Sequence, residues 1–427
     1  MSSESFPNPH GFSRRNGQVY CEDIPLTDLA DQFGTPLYVY SLDALTHAVN
    51  DWKKAVQGTP HRVFYAMKAN SNLGILHLFR RLGLGFDIVS GGELARALAV
   101  GANGKDIVYS GVGKSCKEIA SALSAGIECF NVESIPELDR IQSVAERLDL
   151  TASISVRVNP NVDAKTHPYI STGLKNNKFG VAYESVSALY QKAATLPNIR
   201  ISGIDAHIGS QITQVEPFTH AADKILDLVD ELAKLGIKLD HIDFGGGLGV
   251  RYNDETPPTA VELVSAISER CKARGYGDMP LFFEPGRSLV AMSGALLTTV
   301  EFLKPTTVKN FCIVDAAMND MVRPTLYQAD MTIENCTTHA TAPVTWDIVG
   351  PVCESGDWLG RERTLSIETG DRLVMTGAGA YGMSMASNYN SRCRPAEILV
   401  DGNETHMIRK RETMDDIMHN ELIPQKI

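Results

Sequence analysis

The chain has 427 residues, 43% of them hydrophobic and 21% charged, with a formal net charge of −11. That length suits two domains or one large domain with an appendage, and the acidic balance argues against nucleic acid as the main partner. The polar start "MSSESFPNPH" is no signal peptide, no apolar run reaches a membrane span, and eight scattered cysteines without a CxxC pair read as a reduced, cytosolic thiol set.

The first 41 residues contain two strand-like pieces, "GQVYCED" and "PLYVYS". From residue 60 to 290 the chain alternates. Apolar, β-branched runs fall at 63–67, 84–89, 106–110, 127–131, 152–158, 202–206, 240–244 and 281–284, with helical stretches between them. In "HAADKILDLVDELAKLG" (220–236), Ile225, Leu228, Val229 and Leu232 share one face and Gly236 stops the helix. Eight strands alternating with helices predict a (β/α)8 TIM-like barrel over 42–290, with a doubly wound open sheet as the alternative. After 290 the helical pattern fades. Runs such as "GALLTTVEFL", "FCIVDAA" and "RLVMTGAGAY" read as strands, and Asp401-Gly402 as a hairpin turn. The expected second domain is β-rich and combines 1–41 with 291–427.

Barrel enzymes place their chemistry at the C-terminal ends of the strands. Those ends here carry Lys68, Asp87 with Ser90, Ser110, Asn131, Arg157 with Asn159, His207, Gly245, Gly246 and Gly247, and Glu284. Lys68 follows the apolar run "RVFYAM"; taken alone it reads as a lysine reaching for water. The glycines of "DFGGGLGV" (243–250) follow the seventh strand, where barrels often bind phosphate, and "EPGRS" follows the eighth. The Rossmann fingerprint fits poorly, because the glycine spacing is wrong and Pro257-Pro258 comes soon after. The 11 histidines form neither HxH nor HExxH, so no metal is expected. A lysine, a phosphate loop and a glutamate in one barrel mouth point to pyridoxal 5'-phosphate. The lysine forms the Schiff base and the carboxylate pairs with the pyridine nitrogen.

Eight motifs in order carry a resemblance: "FYAMKAN" (64–70), "DIVSGGEL" (87–94), "HIGSQ" (207–211), "GGGLG" (245–249), "EPGR" (284–287), "MNDMVRPTLY" (318–327), "GPVCESGD" (350–357) and "GAYGMSMASNYNSR" (379–392). On these the chain resembles the diaminopimelate decarboxylase family of fold-type III pyridoxal-phosphate enzymes, whose barrel is like that of alanine racemase. The resemblance implies decarboxylation of meso-2,6-diaminopimelate to L-lysine and CO2, the last step of lysine biosynthesis. The alternative it leaves is a decarboxylase of another basic amino acid or carboxylated polyamine.

By the same resemblance Lys68 holds the cofactor, His207 stacks on its ring, and Ser210, Gly246 and the turn Glu284, Pro285, Gly286 and Arg287 bind phosphate, with Glu284 on the ring nitrogen. Arg287, Arg323, Tyr327, Glu354 and Tyr381 surround the substrate, Tyr381 also lying near the cofactor. Cys353 is the implied proton donor, and the Cys353–Glu354 pair comes from the partner subunit, which makes a homodimer with shared sites necessary. A thiol suits that task because its ordinary pKa of about 8.5 lies close to working pH. A substrate ending in an ammonium and a carboxylate needs both an acid and an arginine; Glu354 fits the ammonium, and Arg287 and Arg323 the carboxylate. The polar loop 160–180 reads either as a lid over the site or as a plain surface insertion.

Overall fold

The computed structural model describes residues 10–163 and 177–425. The chain forms two compact units. One takes the chain up to His47, the short stretch Arg251–Asp254, and everything from Val290 onward. The other comprises Ala48–Val250 and Glu255–Leu289. The helix Leu42–Ala55 runs across the division at His47.

The second of these is the barrel. Its strands are β1 (Arg62–Ala66), β2 (Gly85–Ile88), β3 (Ile107–Tyr109), β4 (Cys129–Val132), β5 (Ala152–Asn159), β6 (Ile199–Asp205), β7 (His241–Asp243) and β8 (Leu281–Phe283). All are parallel, each pairs with the next, and β8 pairs with β1. That last pairing closes the ring and rules out the open sheet. The short strand Val181–Ala182 adds to the outer part of β5. The strands are buried nearly throughout, as expected of parallel strands covered by helices. Inside, Phe64, Val108, Cys129 and Phe282 form one packed cluster.

Helix starts follow closely on strand ends because the sequence supplies caps there. Asn72, Ser90, Ser115, Ser134 and Thr259 each accept a hydrogen bond from a first-turn backbone N–H. Each such cap stabilises its helix by about 1 kcal/mol. The consequence for function is positional: after β1, β2, β3 and β4 the helix begins within a few residues of the strand end, so the polar end residues there are held by short loops, whereas after β7 the helix begins only at Ala260.

β1 ends at Ala66, one residue before the expected Met67, and Met67–Ala69 forms a single 3-10 turn. The reason lies in two hydrogen bonds. The Ala66 N–H donates to the Pro285 carbonyl at 3.0 Å. The Tyr65 hydroxyl donates to the Asn70 carbonyl at 2.8 Å. Together they curl the chain away from the sheet, and Lys68 sits on that curl with an exposed side chain. The expected lid at 160–180 falls largely on 164–176, outside the described residues.

The other unit is β-rich. A three-stranded meander (Phe12–Arg15, Gln18–Cys21, Ile24–Pro25) opens it. Its main sheet runs Trp358–Leu365, Val344–Val349, Phe311–Val314, Gly294–Lys304, Leu37–Ser41, Ala396–Asp401, Glu404–Arg409. Arg372–Met375 and Ile333–Asn335 attach to Gly294–Lys304 as a side branch. Leu37–Ser41 pairs centrally between a parallel and an antiparallel neighbour, so the N-terminal strand is integral to this sheet. Val39, Leu297, Val374, Ile398 and Val400 form its core with Leu26 and Leu29 of the helix Leu26–Phe33.

Candidate active site

The barrel mouth is built from three loops locked together. After β6 the chain runs "HIGSQ", after β7 "GGGLG", and after β8 "EPGR". The Ile212 N–H donates to the Gly247 carbonyl, and the Gly249 N–H returns a bond to Ile212, both at 2.9 Å. Gln211 adds a two-way bond with Val250 through its side-chain amide. The Glu284 N–H donates to the Gly245 carbonyl at 2.7 Å.

At the centre of this lock a side chain has no room. A Cβ on Gly246 would stand 2.1 Å from the Glu284 carbonyl oxygen, and one on Gly247 2.4 Å from that of Gly209. Gly245 and Gly247 also adopt φ of +64° and +114°, which favour glycine. Gly246→Ala should therefore cost more than about 2 kcal/mol of stability, or leave a folded protein that no longer takes up cofactor. Thermal unfolding and cofactor titration of the variant distinguish these from a neutral effect.

His207 is half-buried, and its Nδ1 accepts the Gly246 N–H at 3.2 Å. Burial first, then the positive charges of Lys68 and Arg157, hold its pKa well below the ordinary value. The ring is thus neutral with its proton on Nε2, a flat uncharged surface suited to lying against another ring. Arg287 donates to the Ser210 hydroxyl through Nη2 at 2.9 Å, which puts a guanidinium and a hydroxyl beside the glycine loop.

Glu284 is buried at 6% exposure and accepts from Asn131 Nδ2 at 3.3 Å. Burial, then the nearby Asp243, Asp87 and Asp205, push its carboxyl well above the usual carboxylate range; Lys68 opposes them. Burial likewise raises Asp87, and the Lys68 ammonium is the largest influence pulling it back. Lys68, Asp87 and Glu284 therefore lie in one electrostatic field at one end of the barrel.

A second layer of buried ion pairs steadies the mouth. Lys114 Nζ donates to Glu137 at 2.7 Å and to the carbonyls of Gly111 and Asn131. Glu137 accepts the Glu133 N–H, and Glu133 pairs with Arg157 at 3.1 Å. Lys114→Met leaves Glu137 buried without its cation, and should lower stability by about 3–5 kcal/mol in chemical denaturation. A loss under about 1 kcal/mol would show that the pair is dispensable.

The remaining expected residues belong to the β-rich unit. Arg323 starts the short helix Arg323–Tyr327 and is 6% exposed. Its guanidinium lies 5.1 Å over the Tyr252 ring and Nη1 reaches the Met331 sulfur at 3.8 Å. No carboxylate pairs with it among the described residues. Thr325 bonds the Gly356 carbonyl at 2.7 Å, and Asp357 accepts from the N–H groups of Met318 and Val352. The segments "NDMVRPTLY" and "CESGD" are thereby tied together. Cys353 is exposed, and the exposed Glu354 accepts from the Tyr389 hydroxyl at 2.9 Å. Tyr381 takes a φ of +55° within "GAGAYG". The structure places Pro285, Gly286 and Arg287 on the same loop as Glu284, beside β1: a Cβ on Gly286 would meet Ala66 and Ala69 at 3.1 Å.

Residues 42–291 match the pyridoxal binding domain of the pyridoxal-dependent decarboxylases. The chain belongs to that family. Within the family it is 56% identical to a diaminopimelate decarboxylase of Neisseria meningitidis serogroup A, over 95% of this chain and 99% of the relative. It is 52% identical to one from Pseudomonas aeruginosa, over 97% and 99%. The solved diaminopimelate decarboxylase of M. jannaschii in complex with L-lysine superposes with a TM-score of 0.93 at 40% identity, over 98% and 99% of the two chains. That of Helicobacter pylori with L-lysine gives 0.89 at 42% identity, over 93% and 99%.

The residues fit the family's cofactor. A glycine cradle too tight for any Cβ, with a serine and an arginine beside it, suits a phosphate. A neutral imidazole suits a ring face, a buried carboxyl suits a ring nitrogen, and an accessible lysine suits an aldehyde. Sequence reasoning passed over three buried groups: Glu133, Asp205 and Asp243. The one signal for the aspartates was an acid closing an otherwise apolar strand, in "GID" and "HID".

Proposed function

We propose that this protein decarboxylates meso-2,6-diaminopimelate to L-lysine and CO2, using pyridoxal 5'-phosphate held by its own barrel residues. Lys68 would hold the aldehyde end, His207 a ring face, and Glu284 the ring nitrogen. Gly245, Gly246, Gly247, Ser210, Gly286 and Arg287 would hold the phosphate. Bound there, the group supplies an electron sink for the charge left when the α-carboxylate departs. The chain supplies the rest. The buried Glu284 keeps a carboxyl at the ring nitrogen without competition from water. His207, uncharged, adds no positive charge that would compete with the ring for the developing electron pair. Cys353 Sγ carries the proton destined for the substrate α-carbon.

The observation that carries the substrate class is Arg323. A buried guanidinium that meets only a ring and a thioether among the described residues is costly unless an anion arrives. The distal carboxylate of diaminopimelate supplies that anion, and Glu354 takes the distal ammonium. Cys353 and Glu354 are both exposed in a single chain, which supports a homodimer in which each serves the partner's site. No helix is long and apolar enough to cross a membrane, and all eight cysteines are free. The free thiols support a cytoplasmic setting.

Carbon dioxide release from meso-diaminopimelate, ornithine and lysine tests the reading. Release from the first, far faster than from the others, is expected. No release from diaminopimelate by the pyridoxal-phosphate-loaded protein would sink it.

A further inference from the structure

The carboxyl groups of Asp205, Asp243 and Glu284 each place an oxygen within 4.8 Å of the others, and all three residues are buried. β6 and β7 pair Asp205 with Asp243 in register, so their side chains leave the sheet on the same side. Arg157 pairs in register with Asp205 from β5, but its Nε stands 3.9 Å from Asp205 while Nη1 is held by Glu133 at 3.1 Å. Lys114 is engaged by Glu137. Arg157 and Lys68 therefore face Glu133, Asp87, Asp205, Asp243 and Glu284. Carboxylates this close and this buried cannot all ionise.

The hydrogen bonds show where a proton belongs. Asp243 Oδ1 accepts the Gly245 N–H at 2.8 Å. Asp243 Oδ2 is buried and receives no hydrogen bond among the described residues, and the Glu284 carboxyl is the group that faces it. A single proton held between two facing carboxyl oxygens satisfies both. Burial raises both acids, Asp243 to about 7.

We propose that Asp243 and Glu284 share one proton, and that Asp243 is a positioning residue which takes it when Glu284 meets positive charge at the barrel mouth. The proposal rests on Glu284 as partner of the ring nitrogen. Before further charge arrives, burial with Asp243, Asp87 and Asp205 outweighs the Lys68 ammonium, so the proton is on Glu284 and points to Asp243. When a cation approaches, the Glu284 O–H bond breaks and an Asp243 Oδ2–H bond forms. Oδ1 remains the acceptor for Gly245 throughout. Glu284 becomes anionic with no proton passing to water, and it stays so because Asp243 donates back to it.

Isotope-edited infrared spectroscopy of protein carrying 13C-carboxyl aspartate tests this at pH values above the Asp243 transition. Before cofactor is added, label-shifted bands are expected from the other raised aspartates, Asp87 and Asp205, and an unshifted protonated-carboxyl band from glutamate. On loading pyridoxal 5'-phosphate, the glutamate band should fall and a further label-shifted band should rise. Asp243→Asn keeps the Gly245 bond and mimics the protonated acid. It should lack the further band that loading produces in the wild type and bind cofactor about tenfold more tightly at that pH, because the amide holds Glu284 anionic in advance, as a change of one pK unit implies. An unchanged glutamate band on loading, the same further band in Asp243→Asn, or a stoichiometric divalent cation in the purified protein would each overturn the proposal. If the variant does not fold, the wild-type band exchange decides alone. Normal cofactor affinity in Glu284→Gln would instead refute the ring-nitrogen role on which the proposal rests.

Discussion

Lys68→Ala is expected to lower decarboxylation on the order of 10²–10⁴-fold while leaving the fold intact. The side chain is exposed on a 3-10 turn, so its loss opens no cavity in the core. Its ammonium is the main charge opposing the raised pKa of Asp87, so removing it leaves that buried carboxyl more strongly protonated. Borohydride should fix pyridoxal phosphate to the peptide containing Lys68 in the wild type and to none in the variant. Attachment to another lysine, or full activity without Lys68, would refute the assignment. Mixing this variant with Cys353→Ala tests the shared site. Random reassortment restores about a quarter of wild-type activity if each site draws on both subunits. No recovery on mixing would place Cys353 and Lys68 in the same chain's site.

Arg323→Ala should cost diaminopimelate roughly 10²–10³-fold in kcat/KM, from the loss of charged hydrogen bonds worth about 1.5–3 kcal/mol each. Turnover of a substrate without the distal carboxylate should change by no more than about threefold. Part of any loss comes from the stacking of the guanidinium over Tyr252, so a melting curve is needed beside the kinetics. Arg323→Lys keeps charge but not the planar fork, and an intermediate rate is expected. Equal losses for both kinds of substrate would mean that Arg323 supports the fold and does not read the substrate.

The barrel was legible because its signals are local. Each strand is a short apolar run, each helix has a 3.6-residue period, and the caps at Ser90, Ser115 and Ser134 stand where the two meet. The ends of those strands name Lys68, His207, the three glycines and Glu284 directly, since a barrel sends every strand end to one face. The roles proposed for Arg323, Cys353 and Glu354 rest on motif resemblance alone, because no periodicity distinguishes a substrate arginine from an ordinary one.

Asp243 shows where local reading stops. In the chain it is one acid before a glycine run. Only the in-register pairing of β6 with β7 sets it beside Asp205, and only that of β7 with β8 brings Glu284 to it. The same holds for Gly246, whose missing Cβ matters because the Glu284 carbonyl occupies that place. Alternation of apolar runs and the identity of strand-end residues determined the fold class and most of the mouth, since both depend on near neighbours in the chain. Which carboxyls share a proton, which glycine tolerates no side chain, and which cations are already engaged depend on distances between residues far apart in sequence. Those were decided by tertiary packing, in a low-dielectric interior where a few ångströms determine whether an acid keeps its proton.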